Sequence, residues 1–117
     1  MRLFDSELKI LEVLWEHGDT PAKTIIEILA EQTGWSRTTT YTIIKRSIDK
    51  GVISRKEPNF ICHALISREE ARKEETAELI NRMYGGVPDQ LVASLLGCKH
   101  LSKNEIKHLE KLAKSLK

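Results

Sequence analysis

The sequence predicts a mainly α chain with a small β-hairpin: a winged helix-turn-helix followed by an all-helical segment. Three observations carry this. Three stretches with helical apolar spacing, each bounded by a cap or a stop, fill the chain up to Gly51. Beyond Gly51 the pattern changes to strand-like runs around the turn signal Glu57-Pro58-Asn59. Behind these, two capping boxes, Ser67 with Glu70 and Ser102 with Glu105, open further helices.

Taken in order, Asp5 is the expected cap of a first helix whose Leu8, Leu11, Leu14 and Trp15 line one apolar face, and His17-Gly18-Asp19 stops it. Thr20-Pro21 restarts the helical pattern, with Thr as cap and Pro at the first helical position, and Ile25, Ile26 and Leu29 follow on one face. Gly34 ends that helix. Ser36 caps a third, which runs to Gly51. Three short helices with tight joints make a helix-turn-helix core. Val52-Ile53 and the run Phe60 to Leu65 then pair as a hairpin, the wing. On a strand alternate residues face opposite ways, so one of Cys62 and His63 faces inward and the other outward. Trp15 and Trp35 are expected to anchor the core.

A rotation of 100° per residue separates the two sides of the third helix. Ser36, Thr40, Ile43, Ile44, Ser47 and Ile48 fall on the inward side; Thr38, Thr42, Lys45 and Asp49 centre the opposite one, flanked by Thr39, Tyr41 and Arg46. Hydroxyls, a phenol and cations are what a major-groove helix presents, so Arg37, Thr38, Thr39, Tyr41 and Thr42 are the candidate base contacts. Ser36, Lys45, Arg46, Lys50 and, near the hairpin tip, Arg55 and Lys56 are the candidate phosphate contacts. Such a face can also be merely solvated, but the charge distribution argues otherwise. Residues 1 to 35 hold 3 basic and 7 acidic residues, residues 36 to 56 hold 6 and 1, and residues 57 to 117 hold 10 and 9. The positive charge is concentrated in the middle segment, as binding to a polyanion such as double-stranded DNA requires.

The wing ends near residue 66, which divides the chain into a DNA-binding domain, 1–66, and a helical domain, 67–117. The first rear helix ends at Gly85-Gly86; a second starts at Pro88, carries Leu91, Val92, Leu95 and Leu96, and ends at Gly97. The last places Leu101, Ile106, Leu109, Leu112, Ala113 and Leu116 on one stripe, more apolar surface than an isolated helix can leave in water. This predicts an all-helical dimerisation segment. Its candidate interface is Ala77, Ile80, Met83, Tyr84, Leu91, Leu95, Ile106, Leu109, Leu112, Ala113 and Leu116.

At 117 residues with 40% hydrophobic and 31% charged residues, the chain has ordinary globular composition. It has no apolar run of transmembrane length and no signal-peptide pattern at its start, so a cytoplasmic protein without membrane insertion is expected. Cys62 and Cys98 form no CxxC or CxC pattern, so neither a disulfide framework nor a metal site is encoded, and no cofactor is expected. No nucleophile and base converge, and no glycine-rich phosphate loop is present, so an enzyme is not expected.

Asp5-Ser6-Glu7-Leu8, Val13-Leu14-Trp15, Gly34-Trp35-Ser36-Arg37-Thr38-Thr39, Tyr41-Thr42, Lys50-Gly51-Val52-Ile53, Ser67-Arg68-Glu69-Glu70 and Leu101-Ser102-Lys103-Asn104-Glu105-Ile106 occur in one order along the whole chain. In this the sequence resembles the penicillinase repressor family, the BlaI/MecI type. The resemblance implies a homodimeric winged-helix repressor on a palindromic operator, often with TACA and TGTA half-sites, upstream of resistance or stress genes. It also implies a membrane sensor-protease as partner, which triggers release by a cut at an Asn-Phe bond early in the dimerisation region. This chain departs there: Leu91 to Cys98 contains no Asn-Phe, and Asn59-Phe60 lies in the wing turn. Thr40 and Ser47 stand where relatives carry apolar residues, so either the core is looser or the hydroxyls bond back to helix carbonyls. Two alternatives remain. A metal-responsive, copper-type repressor would need the paired CxC motifs that are absent here, Cys98 and His100 offering only a lone C-x-H. A winged-helix protein-interaction module would present an apolar or acidic third-helix face.

Overall fold

The computed structural model describes residues 2–97 and 101–115. Its elements are α1 (Asp5–His17), β1 (Thr20–Pro21), α2 (Ala22–Thr33), α3 (Arg37–Lys50), β2 (Ile53–Lys56), β3 (Ile61–Ala64), α4 (Arg68–Met83), α5 (Pro88–Leu96) and α6 (Lys103–Ser115). The chain divides into two compact units, Met1–Glu75 and Thr76–Lys117.

In the first unit α1, α2 and α3 bury their apolar stripes in one core, with Ile10, Leu11, Ile25, Leu29, Ile44, Val52, Ile53 and Cys62 fully enclosed. Each enclosed Leu or Ile contributes about 1.5–3 kcal/mol relative to an exposed one. The stops act as the sequence predicts. Gly34 and Gly51 adopt left-handed conformations (φ 77° and 86°) that end α2 and α3. Ser36 caps α3, its Oγ accepting from Thr39 N at 3.1 Å. Trp15 and Trp35 pack half-buried against the core, and the indole N–H of Trp15 donates to Ile66 O at 2.9 Å.

Two expectations about caps need correction. Asp5 is the first residue of α1 and Phe4 the cap; the carboxylate that closes this end is Glu7, accepting from Phe4 N at 2.8 Å. Thr20-Pro21 does not start α2, which begins at Ala22; it forms a short strand paired antiparallel with β3, Thr20 opposite Cys62 and Pro21 opposite Ile61. The wing is therefore part of a three-stranded antiparallel sheet, in the order β1-β3-β2. Two residues are too few for a periodicity signal, and the pairing is set by the third strand arriving alongside. Ala22 N donating to Phe60 O at 2.9 Å holds the same edge. The β2–β3 register runs from Ile53 opposite Ala64 to Lys56 opposite Ile61, and Leu65 N donating to Val52 O extends the pairing. As alternation requires, Cys62 is buried while His63 stays near solvent, bonded to Asp19 at 2.6 Å. Burial raises the Cys62 thiol to about 11.

The hydroxyls at Thr40 and Ser47 are resolved by the second of their two expected solutions. Both residues are fully buried, Thr40 Oγ1 donating to Ser36 O at 3.2 Å and Ser47 Oγ to Ile43 O at 2.8 Å. The core closes over them because each polar group is satisfied within its own helix.

The division between units falls inside α4, later than the sequence boundary at residue 66. The first turns of α4 belong to the first unit because Ala71 is buried there and Glu75 accepts from Leu3 N at 2.7 Å. The reciprocal capping box of Ser67 and Glu70 opens α4, and that of Ser102 and Glu105 opens α6. The Ser102 hydrogen bonds hold the Glu105 carboxyl below its ordinary range. Among the described residues of the second unit none is buried; Met83 is 65% exposed, and Val87, Val92, Leu95 and Leu112 are also exposed.

Candidate nucleic-acid interface

α3 is placed by the apolar residues on its inner side, Ile43 and Ile44, and the cap at Ser36 fixes where it begins. With those inside, Arg37, Thr38, Thr39, Tyr41 and Thr42 are all exposed, as are Lys45 and Arg46. Arg37, Thr38, Tyr41 and Thr42 line a shallow concavity of about 380 Å³. Thr42 Oγ1 donates to Thr38 O at 2.9 Å, which commits its hydroxyl proton to the helix and leaves the oxygen only as an acceptor. Ser36 is exposed rather than inward, and its hydroxyl is spent on the cap: besides accepting from Thr39 N, it donates to Thr39 Oγ1 at 2.9 Å.

The wing is joined to this helix by aromatic contacts. The Phe60 ring meets Tyr41 edge-on at 5.6 Å between centroids, and the Arg55 guanidinium lies 3.7 Å above Phe60. Lys45 Nζ stands 5.5 Å from the Tyr41 centroid. Cations stacked on rings in this way are held over the surface at little cost in hydration. Arg55 also pairs with Glu57 at 2.5 Å, and that bond, with a second from Phe60 N, lowers the Glu57 carboxyl from its ordinary value. Asn59 and Phe60 both have positive φ (73° and 50°), which turns the Phe60 side chain back toward α3. Lys56 is exposed on β2.

Arg46 and Lys50 have partners that the charge pattern does not reveal. Lys50 Nζ lies 2.5 Å from Glu7 Oε1 and 2.8 Å from Arg2 O. Arg46 donates to Ser6 Oγ at 2.8 Å, with its Nε 3.6 Å from Glu7 Oε2. The missing residue is Glu7. The signal for it was present: Glu7 stands three and four residues before Ile10 and Leu11, on the inward stripe of α1, where a carboxylate must find a cation. Phe60 was likewise missed as a link, because its contact depends on the turn conformation.

Ile80, Tyr84, Leu91, Ile106 and Leu109 are half-buried, and Ala77, Met83, Leu95 and Leu112 are exposed. The side chain of Ala113, and Leu116, Cys98 and His100 altogether, lie outside the described residues. Among the described residues no cluster of three or more His, Cys, Asp or Glu side chains is placed to hold a metal ion. No helix among them is long and apolar enough to cross a membrane.

Residues 3–115 match the family model described as penicillinase repressor. The chain belongs to the penicillinase repressor family. Within that family it is 29% identical over 109 residues to the methicillin resistance regulatory protein MecI of Staphylococcus aureus, covering 92% of this chain and 89% of that one. It is 26% identical over 110 residues to the penicillinase repressor of Bacillus licheniformis, covering 92% and 86%. A solution structure of the DNA-binding domain of the repressor BlaI superposes with a TM-score of 0.55 at 25% identity, over 59% of this chain and 87% of that one. A second, the Bacillus licheniformis BlaI monomer in complex with the blaP half-operator, superposes at 0.53 and 25% identity, over 60% and 88%. The matched fold is the winged helix.

Proposed function

We propose that this penicillinase-repressor family member is a homodimeric transcriptional repressor that binds a palindromic operator through α3 and the wing. The observation that carries the reading is the face of α3. Thr38, Tyr41 and Thr42 form an exposed, uncharged, hydrogen-bonding surface flanked by Arg37 and Lys45, on a fold whose solved relative is bound to half-operator DNA.

In this reading Arg37, Thr38, Thr39, Tyr41 and Thr42 meet base edges. Thr42 offers its methyl group to thymine, and Arg37 offers a fork to guanine. Lys45 and Lys56 hold phosphates, as does Arg55 where it is carried on Phe60; Ser36 contributes through the start of α3, and Arg46 keeps enough exposed surface (48%) to reach the backbone as well. The residues from about 67 onward hold the dimer and so space two recognition helices about one helical turn, or a small multiple, apart. The absence of buried residues in the described part of the second unit supports this, since its apolar side chains gain a core only from a partner. The Leu95, Leu101, His108 and Leu109 side chains already line a depression of about 440 Å³ there. An occupied promoter excludes polymerase in the cytoplasm. Release follows loss of the dimer, because one half-site retains little of the affinity. A cut in the second unit triggered by a membrane sensor-protease would act by that route.

Gel shift and footprinting on the protein's own promoter region test the assignment. Thr38→Ala and Thr42→Ala are expected to reduce discrimination between operator and random DNA by about 1–3 kcal/mol. Lys45→Ala and Lys56→Ala are expected to weaken both alike, each removing about 0.9 from the slope of log affinity against log salt. Equal losses on operator and random DNA for Thr42→Ala would remove it from the base-reading set, and a wild-type protein with no salt slope would end the repressor reading.

A further inference from the structure

We infer that Glu7 is a positioning residue that withdraws Lys50 from DNA and uses it to lock the end of the recognition helix to the amino-terminal segment. The inference rests on the repressor reading above and sharpens which of its cations face the phosphates.

Lys50 Nζ has three N–H donors and no other polar function. One direction is taken by Glu7 Oε1 at 2.5 Å and a second by Arg2 O at 2.8 Å. The Phe4 ring lies 4.5 Å away, its negative face covering a third side of the charge. Only 20% of the Lys50 side chain is exposed, whereas the Glu7 side chain is fully buried. A phosphate would have to displace a buried carboxylate from its closest cation, leaving Glu7 charged in the core. The exchange is unfavourable even against a polyanion.

The carboxylate is held from two other sides. Glu7 Oε1 also accepts from Phe4 N at 2.8 Å, so the same oxygen caps α1 and anchors α3. Glu7 Oε2 is buried without a hydrogen bond, with Arg46 Nε 3.6 Å away. Arg46 gives its close hydrogen bond to Ser6 instead, at 2.8 Å, and remains half-exposed. One carboxylate thus stands beside two cations: it neutralises Lys50 by direct contact and leaves Arg46 with charge to spare. Of two basic residues one turn apart on α3, the structure assigns one to the fold and the other to the DNA-facing surface.

The test is the salt slope of operator binding for the full chain. The Glu7→Gln/Lys50→Gln double variant removes both charges and retains hydrogen-bonding groups in place of the ion pair. It is expected to keep the wild-type slope, because the lost cation faces no phosphate. Glu7→Gln alone frees Lys50, so the slope should steepen by about 0.9 and affinity for random DNA should rise. A double variant whose slope falls by about 0.9 would place Lys50 on a phosphate and overturn the inference. So would a Glu7→Gln protein, folded by circular dichroism, with unchanged slope and unchanged random-DNA affinity. If Glu7→Gln fails to fold, the double variant decides alone. Wild-type binding and the Lys45→Ala slope are measured alongside. Their failure would strike the repressor reading itself, whereas their success with a flattened double variant would strike only the role of Glu7.

Discussion

Thr42 carries a methyl group and a hydroxyl on one carbon, and its hydrogen bond to Thr38 O decides which of them a ligand meets. With the hydroxyl proton committed to the helix, what remains is an apolar methyl, suited to the thymine methyl, and an acceptor oxygen, suited to a base amino group rather than to a base acceptor. The same back-bonding at Ser47 leads to a stability prediction. Its hydroxyl bonds only to Ile43 O, a carbonyl that the helix ladder also serves, so Ser47→Ala leaves no buried group unpaired and should change unfolding free energy by less than about 1 kcal/mol. Urea denaturation checks this. A larger loss would mean that the hydroxyl holds more than its own helix. Cys62 sits in the core of the first unit. Burial raises the thiol to about 11 against the opposing charge of Arg55, so hardly any thiolate exists at neutral pH. In a Cys98→Ser variant, the remaining thiol should stay unmodified by a disulfide reagent at pH 8 until denaturant is added.

Among the elements, the wing and α3 make one surface because Phe60 joins them. Its ring touches Tyr41 on α3 and carries Arg55 of β2. Phe60→Leu keeps apolar bulk but removes the ring quadrupole from both contacts, which is expected to cost about 1 kcal/mol in stability and a similar amount of operator discrimination. Competition titration against random DNA reads the second quantity. Unchanged discrimination would show that Tyr41 is held without the wing. Thr20-Pro21 carries cap and first-turn chemistry, but β3 lies beside it, so the pair is strand and Pro21 becomes the cap residue immediately before α2. Propensity sets a weak preference, and an adjacent strand offering hydrogen bonds overrides it.

For the whole molecule, the contrast between the two units is the main fact. The first has an enclosed core; the described part of the second has none and leaves Met83 and Leu95 in solvent. In the proposed dimer the second unit supplies the pairing, and Leu109 lines the apolar depression of that unit. Leu109→Asp would bury an uncompensated charge on pairing, at about 3–5 kcal/mol, so sedimentation at micromolar concentration should show monomers where the parent shows dimers. An unchanged dimer would place the interface elsewhere. The monomer should retain the fold of the first unit and lose most operator affinity.

The sequence by itself determined the helices, their stops and the inward side of α3, because caps, glycines and apolar spacing act within a few residues of one another. It also determined the concentration of positive charge between residues 36 and 56. Tertiary structure alone decided where that charge goes. Arg46 and Lys50 sit four residues apart on α3 and look alike in the chain, yet Lys50 meets a buried carboxylate 43 residues away and Arg46 stays half in solvent. The strand at Thr20-Pro21 and the Phe60 link to Tyr41 were settled in the same way, by partners distant in sequence. Local patterns specify what a segment can form, and only packing specifies which of its polar groups are left free to bind.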